Sequence, residues 1–228
     1  MCFSSKASII SLCIGVIGAF MCTTLGTIAD KIMGFFMIFV SLMQGIEYLL
    51  WTHQKRDAYN RVITILGMLF NHFQPIVLGL LILTMNPLTI YKNWIYSILF
   101  IFSCVIIPHS FRFLMDAKQQ YTMKNTTHLS WEWNHVKYSR FVYPFFLFSL
   151  CILFLLGIPD IKYGFLFALV AFITFFSSLL FYKSKFIGAL WCYYVVFLPL
   201  VYYLIRIIYE KVQQPAEKDE SVGTVGNT

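Results

Sequence analysis

The chain has 228 residues, 59% hydrophobic and 12% charged, with 17 basic against 10 acidic side chains and a mean hydropathy of +0.74. A soluble domain carries about 25% charged residues, so this chain lacks the polar atoms to clothe an apolar core, and the lipid bilayer is its expected solvent and partner. The net charge of +7 is assigned to loop residues facing anionic headgroups, and nucleic acid is not expected as a partner.

Seven apolar runs approach the roughly 20 residues that a spanning helix needs, at about 7–26, 32–51, 62–84, 94–114, 140–157, 161–182 and 187–209. The expectation is an all-α, seven-transmembrane helix bundle over 1–209, followed by a polar, disordered tail over 210–228. The first run follows Lys6, is longer than a signal-peptide core and lacks an A-x-A site, so it reads as a retained span. Gly157-Ile158-Pro159-Asp160 reads as a tight turn between antiparallel helices. With alternating spans, eleven of the Lys and Arg residues fall on the N-terminal side and six on the other. That bias places the N-terminus in the cytoplasm, and a glycan on the sequon Asn125-Thr126-Thr127 would reverse it.

The informative residues are the few polar ones inside the apolar runs. A charged side chain at the centre of a spanning helix costs roughly 2.5–3.5 kcal/mol on insertion scales, so each needs a partner or a task. In the second run Gln44 and Glu47 lie three apart, with Trp51 a further turn on, and share one helix face. Glu47 either points inward or snorkels to the interface. The third run contains Asn71-His72-Phe73-Gln74-Pro75, where Pro75 cannot donate to the carbonyl of Asn71. In the fourth, Pro108 precedes His109, and Arg112 follows one turn later, either paired with Glu47 or extended toward headgroups. The long loop after it carries Trp131, Glu132, Trp133 and His135, read as a lid over a pocket or as an ordinary interfacial helix. Trp191 and Cys192 open the last run. That run contains no Lys, which argues against a retinal Schiff base. Six cysteines show no C-x-x-C spacing, and Cys2 and Cys192 stand out among them.

Several of these segments, MCFSSKAS at the start, MQGIEYLLW, HFQP, SWEWNH and GALWCYYVVFLP, resemble in order the motifs of an uncharacterised family of seven-span membrane proteins beginning Met-Cys-Phe/Trp-Ser, with a Trp-Cys motif in the last helix. HFQP has one residue fewer between His and Phe than the family pattern, and SWEWNH is displaced by a residue or two. The resemblance implies a fold and motif positions at Cys2, Ser4, Gln44, Glu47, His72, Gln74, Pro75, Glu132, Trp191 and Cys192, but no reaction. His109 and Arg112 rest on the residues alone.

Three functions fit this pattern. A polar pocket of Gln44, Glu47, Asn71, His72, Gln74, His109, Arg112, Trp191 and Cys192, opening to one side only, suits a small-solute or ion transporter or channel, with proton coupling an option. A membrane-embedded hydrolase or lipid-modifying enzyme is the alternative, in which His72, His109, Glu47 and Cys192 are zinc ligands. Neither H-E-x-x-H nor the H-x-x-x-H pair of seven-span hydrolases is present. In a receptor or scaffold the same groups would cross-link helices. Enzymatic activity is left open at this stage.

Overall fold

The structure is a computed structural model that describes residues 4–116, 120–125, 128–182 and 187–208. The expected tail over 210–228 and the motif residue Cys2 lie outside the described residues. The fold is all-α apart from one small hairpin: α1 (Ser5–Thr23), α2 (Ile28–Thr52), α3 (Ala58–His72), α4 (Gln74–Met85), α5 (Lys92–Met115), β1 (Met123–Asn125), β2 (His128–Ser130), a short 3-10 turn (Glu132–His135), α6 (Ser139–Gly157), α7 (Ile161–Tyr182) and α8 (Ile187–Val195). The chain turns at 196–197 and is helical again over 198–208.

Among the described residues six helices are long and apolar enough to cross a membrane, or seven if α3 and α4 together make one span. Their outer faces are apolar: Phe20, Phe100, Phe148 and Leu180 are all more than half exposed. Exposed apolar area on that scale needs lipid or protein to cover it.

Local sequence explains where the helices begin. Ser4 caps α1 by accepting from the Ala7 N–H at 3.2 Å. Thr27 and Asp30 form a reciprocal capping box on α2, which satisfies two N–H groups that no intrahelical carbonyl can reach. Asp57 caps α3 by accepting from the Asn60 N–H at 3.1 Å. Its carboxyl is held below the ordinary carboxylate value, first by that bond and then by the His53 ring 2.7 Å away.

The expected third span over 62–84 is not one continuous helix. It breaks at Phe73 into α3 and α4, which bend by 50°. Pro75 lies within the first turn of α4, where its missing N–H costs no helical bond. The chain therefore restarts a helix there instead of continuing the old one. At the other turn singled out above, α6 ends at Gly157 and α7 begins at Ile161. A Cβ on Gly157 would sit 2.2 Å from Ile82 Cδ1, so glycine lets α6 close on α4.

Helix α2 is the axis of the bundle, with 61% of its spanning window buried against 22% for α5. It packs on α1, α3, α4 and α8. The buried face of α1 is Ser8, Ser11, Gly15, Gly18, Ala19 and Cys22, a row of small side chains that allows close backbone approach. A Cβ on Gly18 would lie 2.7 Å from the backbone N of Leu200, which places the last helix directly against α1.

Candidate functional site

The sequence-predicted pocket residues fall into groups around the break at Phe73. Gln44, Glu47, His72, Gln74 and Cys192 have no solvent exposure, and Asn71, Trp191 and His109 have 2–4%. These side chains are therefore buried inside the bundle and do not face solvent. On one side of the break Gln74 lies beside the Cys192 thiol, and Glu47 is near enough to act on that thiol electrostatically. The Gln74 side chain makes no well-formed hydrogen bond, and neither does that of Gln44 one turn from Glu47 on α2. Of these two carboxamides, that of Gln44 carries a buried donor and acceptor without partners, and that of Gln74 has only the Cys192 thiol beside it. Leaving one such group unsatisfied costs about 1–3 kcal/mol. Trp191 packs edge-on against Phe146 at 5.6 Å between centroids, and its indole N–H has no partner.

On the other side His72 is held by α5 and α6. Its Nδ1 lies 2.7 Å from Ser110 Oγ, and its Nε2 lies 3.4 Å from the hydroxyl of Tyr143. The His109 ring is 5.5 Å from that of His72 and 6.3 Å from that of Tyr143. Ser110 and Tyr143 were not singled out in the sequence. Ser110 follows His109 directly, and Tyr143 carries no signal beyond being one of 14 tyrosines.

The structure does not assemble the four expected zinc ligands. Glu47 and Cys192 belong to the first group, and His72 and His109 to the second. Among the described residues no three His, Cys, Asp or Glu side chains converge to hold a metal ion. Arg112 is an exposed residue, whereas Glu47 is fully buried. Its guanidinium lies 5.0 Å above the Tyr138 ring. Of the two sequence readings of Arg112, the geometry favours the one facing outward, because a helical residue three positions after His109 on a half-exposed helix can reach the interface.

The residues expected as a lid form a plug. Trp131 and Trp133 are buried, their rings tilted at 31° with centroids 4.8 Å apart, while His135 is exposed and Glu132 accepts from Ser130 Oγ at 2.8 Å. The Trp133 ring reaches α2 and α3, since a Cβ on Gly67 would meet both it and Ile46 at 3.1 Å. Asn60 ties down the start of this segment. Its Nδ2 donates to the carbonyls of Thr122 and His53 at 3.0 and 3.1 Å, and its Oδ1 accepts from the Thr122 N–H at 3.1 Å.

A further polar cluster lies near the opposite end of α2, away from the one-sided pocket expected from the sequence. Asp30 is fully buried and accepts from the Tyr202 hydroxyl at 2.5 Å and from Thr27 Oγ1 at 2.5 Å. Arg206 Nη2 is 3.6 Å from the same carboxylate, and Arg206 Nη1 donates to Tyr163 at 2.7 Å. Asp30 and Glu47 are 17 residues apart on one helix, about 25 Å at 1.5 Å per residue. The sequence did hold a signal: Arg206 is the one basic residue inside the last apolar run. The expectation of polarity confined to one side is thus corrected.

The sequence matches no family model, no curated protein and no solved structure. The functional reading rests on this geometry.

Proposed function

We propose that the chain is a seven-span membrane protein of the Met-Cys-Phe/Trp-Ser type, in which α3 and α4 form one broken span, and that it carries a small solute or ion, with proton coupling, through a site at that break. The observation that carries the reading is the break itself. It occurs inside an apolar span and is flanked by Asn71, His72 and Gln74, all buried. Discontinuous helices at membrane depth are characteristic of transporter binding sites, because half-helix ends present free N–H and C=O groups to a ligand. The buried carboxamide of Gln74 beside Cys192 supplies a further donor and acceptor at the break, and that of Gln44 on α2 has unsatisfied donor and acceptor atoms of its own. Glu47 is the proton-accepting group of this proposal. These side chains are buried in this conformation, and the Asp30–Tyr202–Arg206 cluster supplies a separate polar contact that an opening on the far side would rearrange.

The test is proton and solute flux in proteoliposomes under an imposed pH gradient. Glu47→Gln and Gln74→Leu should each reduce flux at least tenfold while insertion and helicity stay normal. Flux unaffected by both variants removes the proposal.

A second reading is favoured by one contact. Ser110 Oγ at 2.7 Å from His72 Nδ1 has the spacing of a nucleophile and its base, as an intramembrane lipid hydrolase would require. Labelling of the wild type, but not of Ser110→Ala, by a fluorophosphonate would establish it, and no labelling of either would remove it.

A further inference from the structure

A cavity of about 510 Å³ opens at the start of α6, between the plug segment and α7. Its lining includes His135, Lys137 and Arg140, all exposed, together with Pro144, one turn further along α6 than Arg140, and the buried Phe175 of α7. None of the lining residues has a carboxylate. The cations are held in place: Lys137 Nζ and the Arg112 guanidinium lie 5.1 and 5.0 Å from the Tyr138 ring, and the Arg140 guanidinium lies 5.0 Å from that of Phe141. Tyr138 itself has a left-handed backbone, φ 77°, which turns the chain into α6 and sets Lys137 and Arg140 at the mouth.

We infer that this cavity binds an anionic phospholipid, with its phosphate at Lys137 and Arg140 and the first acyl carbons along Pro144 and Phe175. Three features point to this class of ligand. Two cationic residues in a lining that holds no carboxylate favour an anionic group such as a phosphate. A cavity of this volume falls within the range that holds a small molecule or headgroup. The combination of cationic and apolar residues in one lining matches an amphiphile at the edge of a bilayer, and not a fully hydrated ion. Tyr143 belongs to the same lining and reaches His72 from it. The occupied cavity is thereby one side chain away from the buried histidines. The inference rests on the membrane-spanning reading, but not on transport.

The experiment measures thermal unfolding of the full chain in neutral detergent with three titrants: dihexanoyl phosphatidylglycerol, dihexanoyl phosphatidylcholine and inorganic phosphate. Phosphatidylglycerol should raise the midpoint saturably by several degrees, and phosphatidylcholine and phosphate by less than a quarter as much. Lys137→Gln combined with Arg140→Gln should weaken phosphatidylglycerol binding at least tenfold, while Lys92→Gln, on a cation outside the cavity, should leave it unchanged. Equal shifts with phosphate would mean a free-anion site, and equal shifts with phosphatidylcholine an apolar groove. Equal loss in Lys92→Gln would mean general charge attraction. Each of these overturns the inference. Should the double variant misfold, binding by the wild type at rising salt decides, and salt-independent affinity overturns it. Alkaline carbonate extraction of membranes tests embedding separately, so the failure of one reading is not mistaken for that of the other.

Discussion

Replacing Tyr202 by Phe isolates one bond of the buried cluster on α2. The substitution removes only the hydroxyl that donates to Asp30 at 2.5 Å. The ring stays packed against Phe167 and Tyr163, at 5.1 and 5.6 Å between centroids. Neutral interhelical hydrogen bonds in membranes average about 0.6 kcal/mol, while hydrogen bonds to charged groups are worth about 1.5–3 kcal/mol. Asp30 forms an ion pair with Arg206, 3.6 Å away, so the higher range applies. Its remaining bonds from Thr27 both fall on Oδ2, so Tyr202→Phe strips the hydroxyl donor from Oδ1 and is expected to cost about 1.5–3 kcal/mol. Asp30→Asn should cost more, because it leaves Arg206 without its carboxylate. Combined with Asp30→Asn, Tyr202→Phe should then cost less than about 0.7 kcal/mol, since the charge that strengthened the bond is gone. Equilibrium unfolding of the four proteins in mixed micelles, followed by circular dichroism, gives the cycle. A loss below about 0.5 kcal/mol for Tyr202→Phe, unchanged in the Asp30→Asn background, would refute the charged-acceptor argument.

Gly18→Ala places a Cβ 2.7 Å from the Leu200 backbone and should destabilise by about 1–3 kcal/mol through overpacking. By contrast Gly45→Ala, whose Cβ meets only Leu12 Cδ2 at 3.4 Å, should be neutral or stabilising, as mixed-micelle unfolding would show. Asn60→Ala removes the side chain that ties His53 and Thr122 together; trypsin cleavage at Lys124 should accelerate at least tenfold in limited proteolysis, and an unchanged rate would contradict the tethering role. The depressed Asp57 carboxyl contributes stability that is fully present above the ordinary value of 3.8 and is lost as pH falls through its folded value. Asp57→Asn keeps a capping side chain and should abolish that acid-side loss; a difference between the two proteins that varies with pH between 5 and 7 would assign the effect to another group.

The chain's apolar runs, its caps and its turns fix where helices form. The all-α fold and helices placed close to each expected run were therefore legible without coordinates. Ser4, Thr27 with Asp30, and Gly157 act on neighbours a few residues away, so their meaning is local. The break at Phe73 was half legible: Pro75 announces a disturbed helix, but a 50° bend depends on α2 and α6 packing against α4.

Partner choice was not legible. Ser110 sits 38 residues from His72, and Tyr202 sits 172 residues from Asp30; no spacing rule links them. Glu47 and Arg112 are an attractive pair on paper, yet one is buried in the axis helix and the other is exposed above Tyr138. The physical reason lies in the solvent. In water a helix declares its inner face by its apolar stripe, whereas lipid tails are as apolar as a protein core, so hydropathy marks a span without marking its inward side. Sequence alone determined which segments are helical and apolar, and the tertiary packing alone decided which polar side chains meet.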